Sequence, residues 1–176
     1  VAPAAQPEAR PAVDSAAADP MRAMIESRPK GALDAVAEKI EYWTQQGRQT
    51  LYLVVSFLPL ADGRERAVEF FMPVGQSGES QQWITASMRL LSLAARGGFL
   101  ERALADMRKV AWDRGPVRLG HHVKADGTQV PMWHDSEVGA IAYAIQQLIA
   151  RRSGQASAAP DAPAPSVAAP VAMVGA

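Results

Sequence analysis

The densest group of metal-ligand and acid–base side chains lies in the last third of the chain. It comprises His121, His122, His134, Asp135 and Glu137. Histidines and carboxylates hold zinc when several converge, and His134 and Glu137 lie one turn apart if a helix already begins there. Because His121 and His122 are adjacent, at most one of them faces that point. The alternative is structural: Asp135 or Ser136 caps the last helix, and Glu137 favours its positive end.

A basic segment containing two glycines precedes this group. It runs Arg114-Gly-Pro-Val-Arg-Leu-Gly-His-His-Val-Lys124. Arg114, Arg118 and Lys124 could hold an anion such as a nucleotide phosphate, and the alternative is an ordinary surface loop. The segment has neither the P-loop pattern nor the Rossmann glycine pattern.

Other side chains narrow the chemistry further. The chain has no cysteine, which excludes disulfides, thiolate metal ligands and cysteine catalysis. No Gly-x-Ser-x-Gly elbow supports serine hydrolysis. The four tryptophans, Trp43, Trp83, Trp112 and Trp133, are spread so widely that we expect them to pack internally, the alternative being a stacking platform. For Trp112 and Trp133 the alternative is the lining of a partner groove.

Composition divides the chain into three parts. Residues 1–20 and 154–176 are rich in proline and alanine, which predicts disordered tails. Residues 21–153 form one predicted domain with 17 basic and 14 acidic residues, a balance too even to indicate nucleic-acid binding by itself. No apolar run is long enough to span a bilayer, and the first twenty residues lack a signal-peptide pattern. The expected location is therefore cytoplasmic.

Strand-like runs precede helical ones in the domain. Strands are expected over 38–43, 50–57 and 67–72, and helices over 81–96, 100–112 and 136–152. The alternative for the first run is a helix from near Leu33 to Gly47. Ser80 is the expected N-cap of the first helix, and Gly97-Gly98 its end. The segment from Asp113 to His122 is expected to be a loop, and Asp126-Gly127 a small hairpin or turn. This order predicts an α+β fold, in which a small antiparallel sheet of about three strands packs against about three helices. The predicted core residues are Leu53, Val55, Phe57, Val68, Phe70, Ile84, Met88, Leu91, Leu104, Ile141, Ile145 and Leu148.

Several short motifs between residues 28 and 152 resemble a known family in consistent order. They are Leu51-Tyr-Leu-Val-Val, Glu69-Phe-Phe-Met, the stretch from Gln81 to Ser92, Phe99-Leu, the stretch from Ala105 to Gly115, and the stretch from His134 to Ile145. Together they resemble the TSCPD-type C-terminal accessory region, or small subunit, of cobalamin-dependent class II ribonucleotide reductases.

The resemblance implies an accessory or regulatory role in deoxyribonucleotide synthesis. Reduction in that family needs a thiyl-radical cysteine and a redox cysteine pair on a large subunit, so a chain without cysteine cannot be the catalytic subunit. The implied partner is that large subunit, which would hold adenosylcobalamin, while this chain itself would bind no cofactor. Two other hypotheses stay open: a regulatory domain that binds a nucleotide or anion effector, and a homo-oligomeric interaction protein. An enzyme is a weaker hypothesis, which rests only on the group of histidine and acidic side chains between His121 and Glu137.

Overall fold

The fold is α+β, as the order of strand-like and helical segments predicts. The computed structural model describes residues 19–73 and 79–154. Its elements are β1 (Asp34–Thr44), β2 (Gly47–Pro59), β3 (Glu65–Phe71), α1 (Glu79–Gly97), α2 (Leu100–Met107), β4 (Val117–Val123), β5 (Gln129–His134) and α3 (Glu137–Arg152). Apart from Asp19, Pro20 and Gly154, the expected disordered tails, 1–20 and 154–176, fall outside the described residues.

The sheet has five strands within the described residues, not about three. Their order is β3-β2-β1-β4-β5, and the pairs β2–β3, β1–β4 and β4–β5 are antiparallel. The two strands not counted in the prediction are β4 and β5. The expected hairpin turn at Asp126-Gly127 is confirmed and joins them, with the Lys124 N–H donating to the Thr128 carbonyl at 2.9 Å. Only Val117 of β4 is buried, and Pro131 interrupts β5, so neither strand has the apolar alternation by which strands are recognised. The expected loop from Asp113 to His122 is therefore wrong from Val117 onward.

The helices follow the prediction with two corrections. α1 begins at Glu79, so Ser80 lies inside the helix and is not its N-cap. α2 ends at Met107 rather than at Trp112. α3 lies where it was predicted, and the Ser136 hydroxyl caps it by accepting a hydrogen bond from the Gly139 N–H at 2.9 Å. Of the two proposed caps, Ser136 is thus the one used.

The Gly97-Gly98 end of α1 is confirmed, and Gly98 has a second role. Its φ is +89°, the left-handed conformation that closes many helices. A Cβ at this position would lie 2.1 Å from the Arg22 carbonyl oxygen. Position 98 therefore needs glycine both for its backbone angle and because the segment at Arg22 passes so close.

The contacts divide the described residues into two compact units. Unit 1 holds 19–40 and the described residues of 51–106, and unit 2 holds 41–50 and 107–154. In unit 1, α1 packs on β3. In unit 2, α3 packs against β4 and β5. All the predicted core residues are buried except Ile84, which is half-buried.

Candidate ligand-binding surface

Two tryptophans and an arginine lie at one level across three neighbouring strands of unit 2. Trp43 of β1 is paired with Arg118 of β4, and Arg118 is paired with Trp133 of β5. Directly paired residues project from the same face of a sheet. Neighbouring strands are about 4.8 Å apart, so the two tryptophan Cα atoms are separated by about 10 Å. We call these three residues the tryptophan–arginine row.

The row occupies the solvent face of the sheet. Trp133 is 60% exposed and Trp43 is 39% exposed. Their neighbours along the strands, Tyr42 and His134, are buried on the opposite face, together with Val117. Strand alternation produces this division, because successive side chains point to opposite faces. The expectation that the tryptophans pack internally is therefore wrong for Trp43 and Trp133.

Arg118 lies against the indole of Trp43. Its guanidinium carbon is 4.4 Å from the ring centroid, a cation–π arrangement. A second pair repeats the arrangement, with the guanidinium of Arg114 5.5 Å from the ring centroid of Trp112. Neither arginine forms an ion pair with another of the described residues. Both cations are thus oriented by aromatic rings instead of being neutralised by carboxylates.

The loop before β4 brings the second pair to the end of the row. The Trp112 backbone N–H donates to the Asp135 carbonyl at 3.4 Å, just beyond β5. The Trp112 indole N–H donates to the Gly115 carbonyl at 3.0 Å. Gly115 has a φ of +87°, and a Cβ there would lie 2.3 Å from the Gln45 amide nitrogen, in the turn after β1. The loop therefore runs between the ends of β1 and β5 that flank the row.

Arg114 and Arg118 supply positive charge at the row, and the exposed Asp113 and Asp135 are the nearest acidic residues in sequence to Arg114 and Trp133. Glu41 projects from the same face of β1 as Trp43, but Arg48 lies 3.9 Å from its carboxylate. Lys124, the third expected anion ligand, lies at the opposite end of β4, about 20 Å from Arg118 along the strand. The structure thus brings Arg114 and Arg118 to one region and leaves Lys124 apart.

The four expected metal ligands do not converge. His121 and His122 are exposed near the C-terminal end of β4, on opposite faces of the strand. His134 is buried, and its Nε2–H donates to the Leu119 carbonyl at 3.0 Å. Glu137 accepts a hydrogen bond from the Tyr42 hydroxyl. Among the residues in 19–73 and 79–154, no three histidine or acidic side chains form a group that could hold a metal ion.

His134 and Tyr42 instead form a buried polar layer beneath the row. The His134 and Tyr143 ring centroids lie 4.9 Å apart. Burial lowers the pKa of His134 below its ordinary value, and the nearby Arg108 adds to this, while the Leu119 hydrogen bond acts in the other direction. Burial and the Glu137 carboxylate raise the pKa of Tyr42. These neutral groups support β1, β5 and the start of α3.

A second exposed surface lies on α1. The residues Trp83, Ala86, Leu90 and Leu93 are spaced by three, four and three positions, so they form one stripe along the helix. Trp83 is 67% exposed and Leu90 is 66% exposed. The opposite side of α1 buries Met88 and Leu91. We call the four exposed residues the α1 stripe. The expectation that Trp83 packs internally is therefore also wrong.

A comparison with protein-family models, curated proteins and solved structures found no match for the chain. Within the part of the chain that the structure describes, no helix combines the length and the apolar character that crossing a bilayer requires. The interpretation of both surfaces therefore comes from their own geometry and chemistry.

Proposed function

We propose that this chain is a non-catalytic accessory domain that binds a larger catalytic protein through the α1 stripe. The stripe is the observation that carries the proposal. Large apolar side chains at a three-and-four spacing form the contact face of a helix that packs on another protein. The stripe is exposed although the same helix already buries its opposite side in unit 1.

The partner class follows from the resemblance of the motifs between residues 28 and 152. We propose the large subunit of a cobalamin-dependent ribonucleotide reductase, which would hold adenosylcobalamin and supply the radical chemistry. The absence of cysteine supports a division of labour in which this chain binds and the larger chain catalyses. The complex would lie in the cytoplasm with its substrates.

Co-purification with a co-expressed large subunit tests this proposal. We expect the full chain to retain that subunit and the Leu90→Glu variant to lose it, because a charge at the centre of the stripe would have to be buried without a partner. Arg89→Ala changes the neighbouring exposed residue and is the matched control. Both variants should keep the parent melting temperature, since neither side chain is in the core.

Two outcomes would contradict the proposal. One is that Leu90→Glu retains the large subunit as well as Arg89→Ala does. The other is that the parent chain is a dimer in light scattering and Leu90→Glu makes it monomeric without any effect of the large subunit. The second outcome would assign the stripe to a second copy of this chain, which is the homo-oligomeric alternative.

A further inference from the structure

We propose that the tryptophan–arginine row binds single-stranded nucleic acid. Bases would stack on the Trp133 indole and on the side of the Trp43 indole away from Arg118, and the guanidinium of Arg118 would contact the phosphate between them. The row lies in unit 2 and the α1 stripe in unit 1, so this activity does not depend on the proposed partner.

The first support is stacking chemistry. An exposed indole offers a flat apolar face that any base can cover, and such contacts bind single strands with little sequence preference. Two indoles on one open sheet face provide two such positions. Structural packing does not explain their exposure, because the buried face of the same strands is filled by Tyr42, Val117 and His134.

The second support is the position of the two arginines, each beside an aromatic ring and without an ion pair among the described residues. A guanidinium held beside a ring can still donate its N–H groups to phosphate oxygens. The Arg118 guanidinium carbon lies 4.4 Å from the Trp43 ring centroid, and that of Arg114 lies 5.5 Å from the Trp112 ring centroid at the end of the row. Since neither is paired with a carboxylate of the described residues, a phosphate would not have to displace a partner.

The spacing selects a single strand over a duplex and over a lone nucleotide. The tryptophan positions are about 10 Å apart, whereas bases stacked in a duplex rise by about 3.4 Å. Successive bases must therefore be separated, as they can be in a single strand. A lone nucleotide would use only one indole, and the open face would leave most of it in water, unlike the concave sites that hold small ligands.

The placement of a few arginines beside aromatic rings supports nucleic-acid binding, although the net charge of the chain does not indicate it. The chain is formally neutral, and the even balance of residues 21–153 does not indicate nucleic-acid binding. The relevant cations are few and are placed beside aromatic rings. Binding of this kind relies on stacking as well as on charge, and we expect moderate affinity with a clear dependence on salt.

Fluorescence anisotropy of the full chain with a labelled oligothymidine of about 15 nucleotides tests the proposal. We expect binding at low salt that weakens as salt rises. Trp133→Ala and Arg118→Ala should each weaken it about ten-fold, while Trp133→Phe should retain most of it because the aromatic face remains. Trp83→Ala and Arg89→Ala are the controls, since they remove an exposed tryptophan and an exposed arginine from α1.

Competition with unlabelled ligands distinguishes binding of a single strand from binding of a duplex or of a lone nucleotide. Unlabelled single strand should displace the probe, whereas a duplex of the same length and adenosine triphosphate should not. The proposal is overturned if the full chain does not bind the single strand, if the row variants bind as well as the controls do, or if the duplex or the triphosphate competes equally. Leu90→Glu should leave nucleic-acid binding unchanged, so failure of the proposed partner would be distinguishable from failure of this site.

Discussion

Arg66 is a buried cation held by backbone carbonyls. One of its terminal nitrogens donates to the carbonyls of Pro20 at 3.0 Å and Ala23 at 2.5 Å, and the other to those of Ala95 at 2.6 Å and Arg96 at 3.1 Å. Ala95 and Arg96 lie in the last turn of α1, where carbonyls lack helical partners and the helix dipole is negative. Through these hydrogen bonds a single side chain links the segment before β1 to the end of α1. Burial lowers the pKa of Arg66.

The Arg66→Met variant is expected to lose about 2–3 kcal/mol of unfolding free energy. The Pro20 and Ala23 carbonyls would lose this charged donor, and the Ala95 and Arg96 carbonyls would keep only the backbone N–H groups of Gly98 and Ile25. Urea unfolding of the full chain measures the loss. Arg64→Met is the control, since Arg64 is exposed and its ion pairs with Asp19 and Asp62 lie at the surface. The effect of the control should be far smaller, and equal midpoints for the two variants would disprove the linking role.

His134 should give the unfolding free energy a pH dependence. In the unfolded chain this histidine titrates near pH 6.5, whereas burial keeps its folded pKa lower. Between these two values the unfolded chain binds more protons, so stability rises with pH up to about 6.5 and then levels off.

His134→Gln should remove that rise, and His121→Gln should leave it, because His121 is exposed on β4. Urea titrations at a series of pH values compare the two variants with the parent. If the unfolding free energy of His134→Gln rises with pH as steeply as that of the parent, another group causes the rise.

At the scale of single residues, the sequence indicates which residue types could bind a ligand better than it indicates whether their side chains are buried or exposed. Arg114 and Arg118 could be predicted as candidate anion ligands, because a basic segment with glycines is apparent from the sequence itself. Trp43 and Trp133 were interpreted as packing residues, because exposure depends on which face of a strand a side chain occupies. That face is set by the register between β1, β4 and β5, which one sequence does not display.

At the scale of elements, the end of α1 depends on Gly98. Gly98→Ala must place a Cβ against the Arg22 carbonyl as well as adopt a positive φ. Gly31→Ala is a matched control, since Gly31 has a φ of +87° and no atom within 4 Å of a built Cβ. We expect the control to lose about 1–2 kcal/mol from backbone strain alone, and Gly98→Ala to lose distinctly more in thermal or urea unfolding. Equal losses would mean that the segment at Arg22 moves aside freely.

The elements that carry their own apolar period were predictable. The runs at β2, β3, α1 and α3 follow periods of two or about 3.6, and their observed bounds differ from the expected ones by at most three residues. β4 and β5 were not predictable in this way. A shift of register between Arg118 and His121 breaks the alternation of β4, and pairing with its neighbours, not its own pattern, makes this segment a strand.

At the scale of the whole molecule, the α+β class was correct because strands precede helices in the first two thirds of the chain. The division into two units was not visible, since each unit joins separated stretches of sequence. Composition does not change at residues 40, 50 or 106, where the units meet along the chain. Only contacts between distant residues define such a division, so it can be read from coordinates and not from local patterns.

The pairing of Trp43 with Arg118 has a consequence for how the protein is made. Arg118 follows Trp43 by 75 positions, and Trp133 comes later still. A ribosome releases residues in order, so the end of β1 emerges long before β4 exists to cover its edge. During that interval a bare strand edge beside an apolar indole is open to association with other nascent chains. Slow translation before residue 118 should therefore lower the yield of native protein.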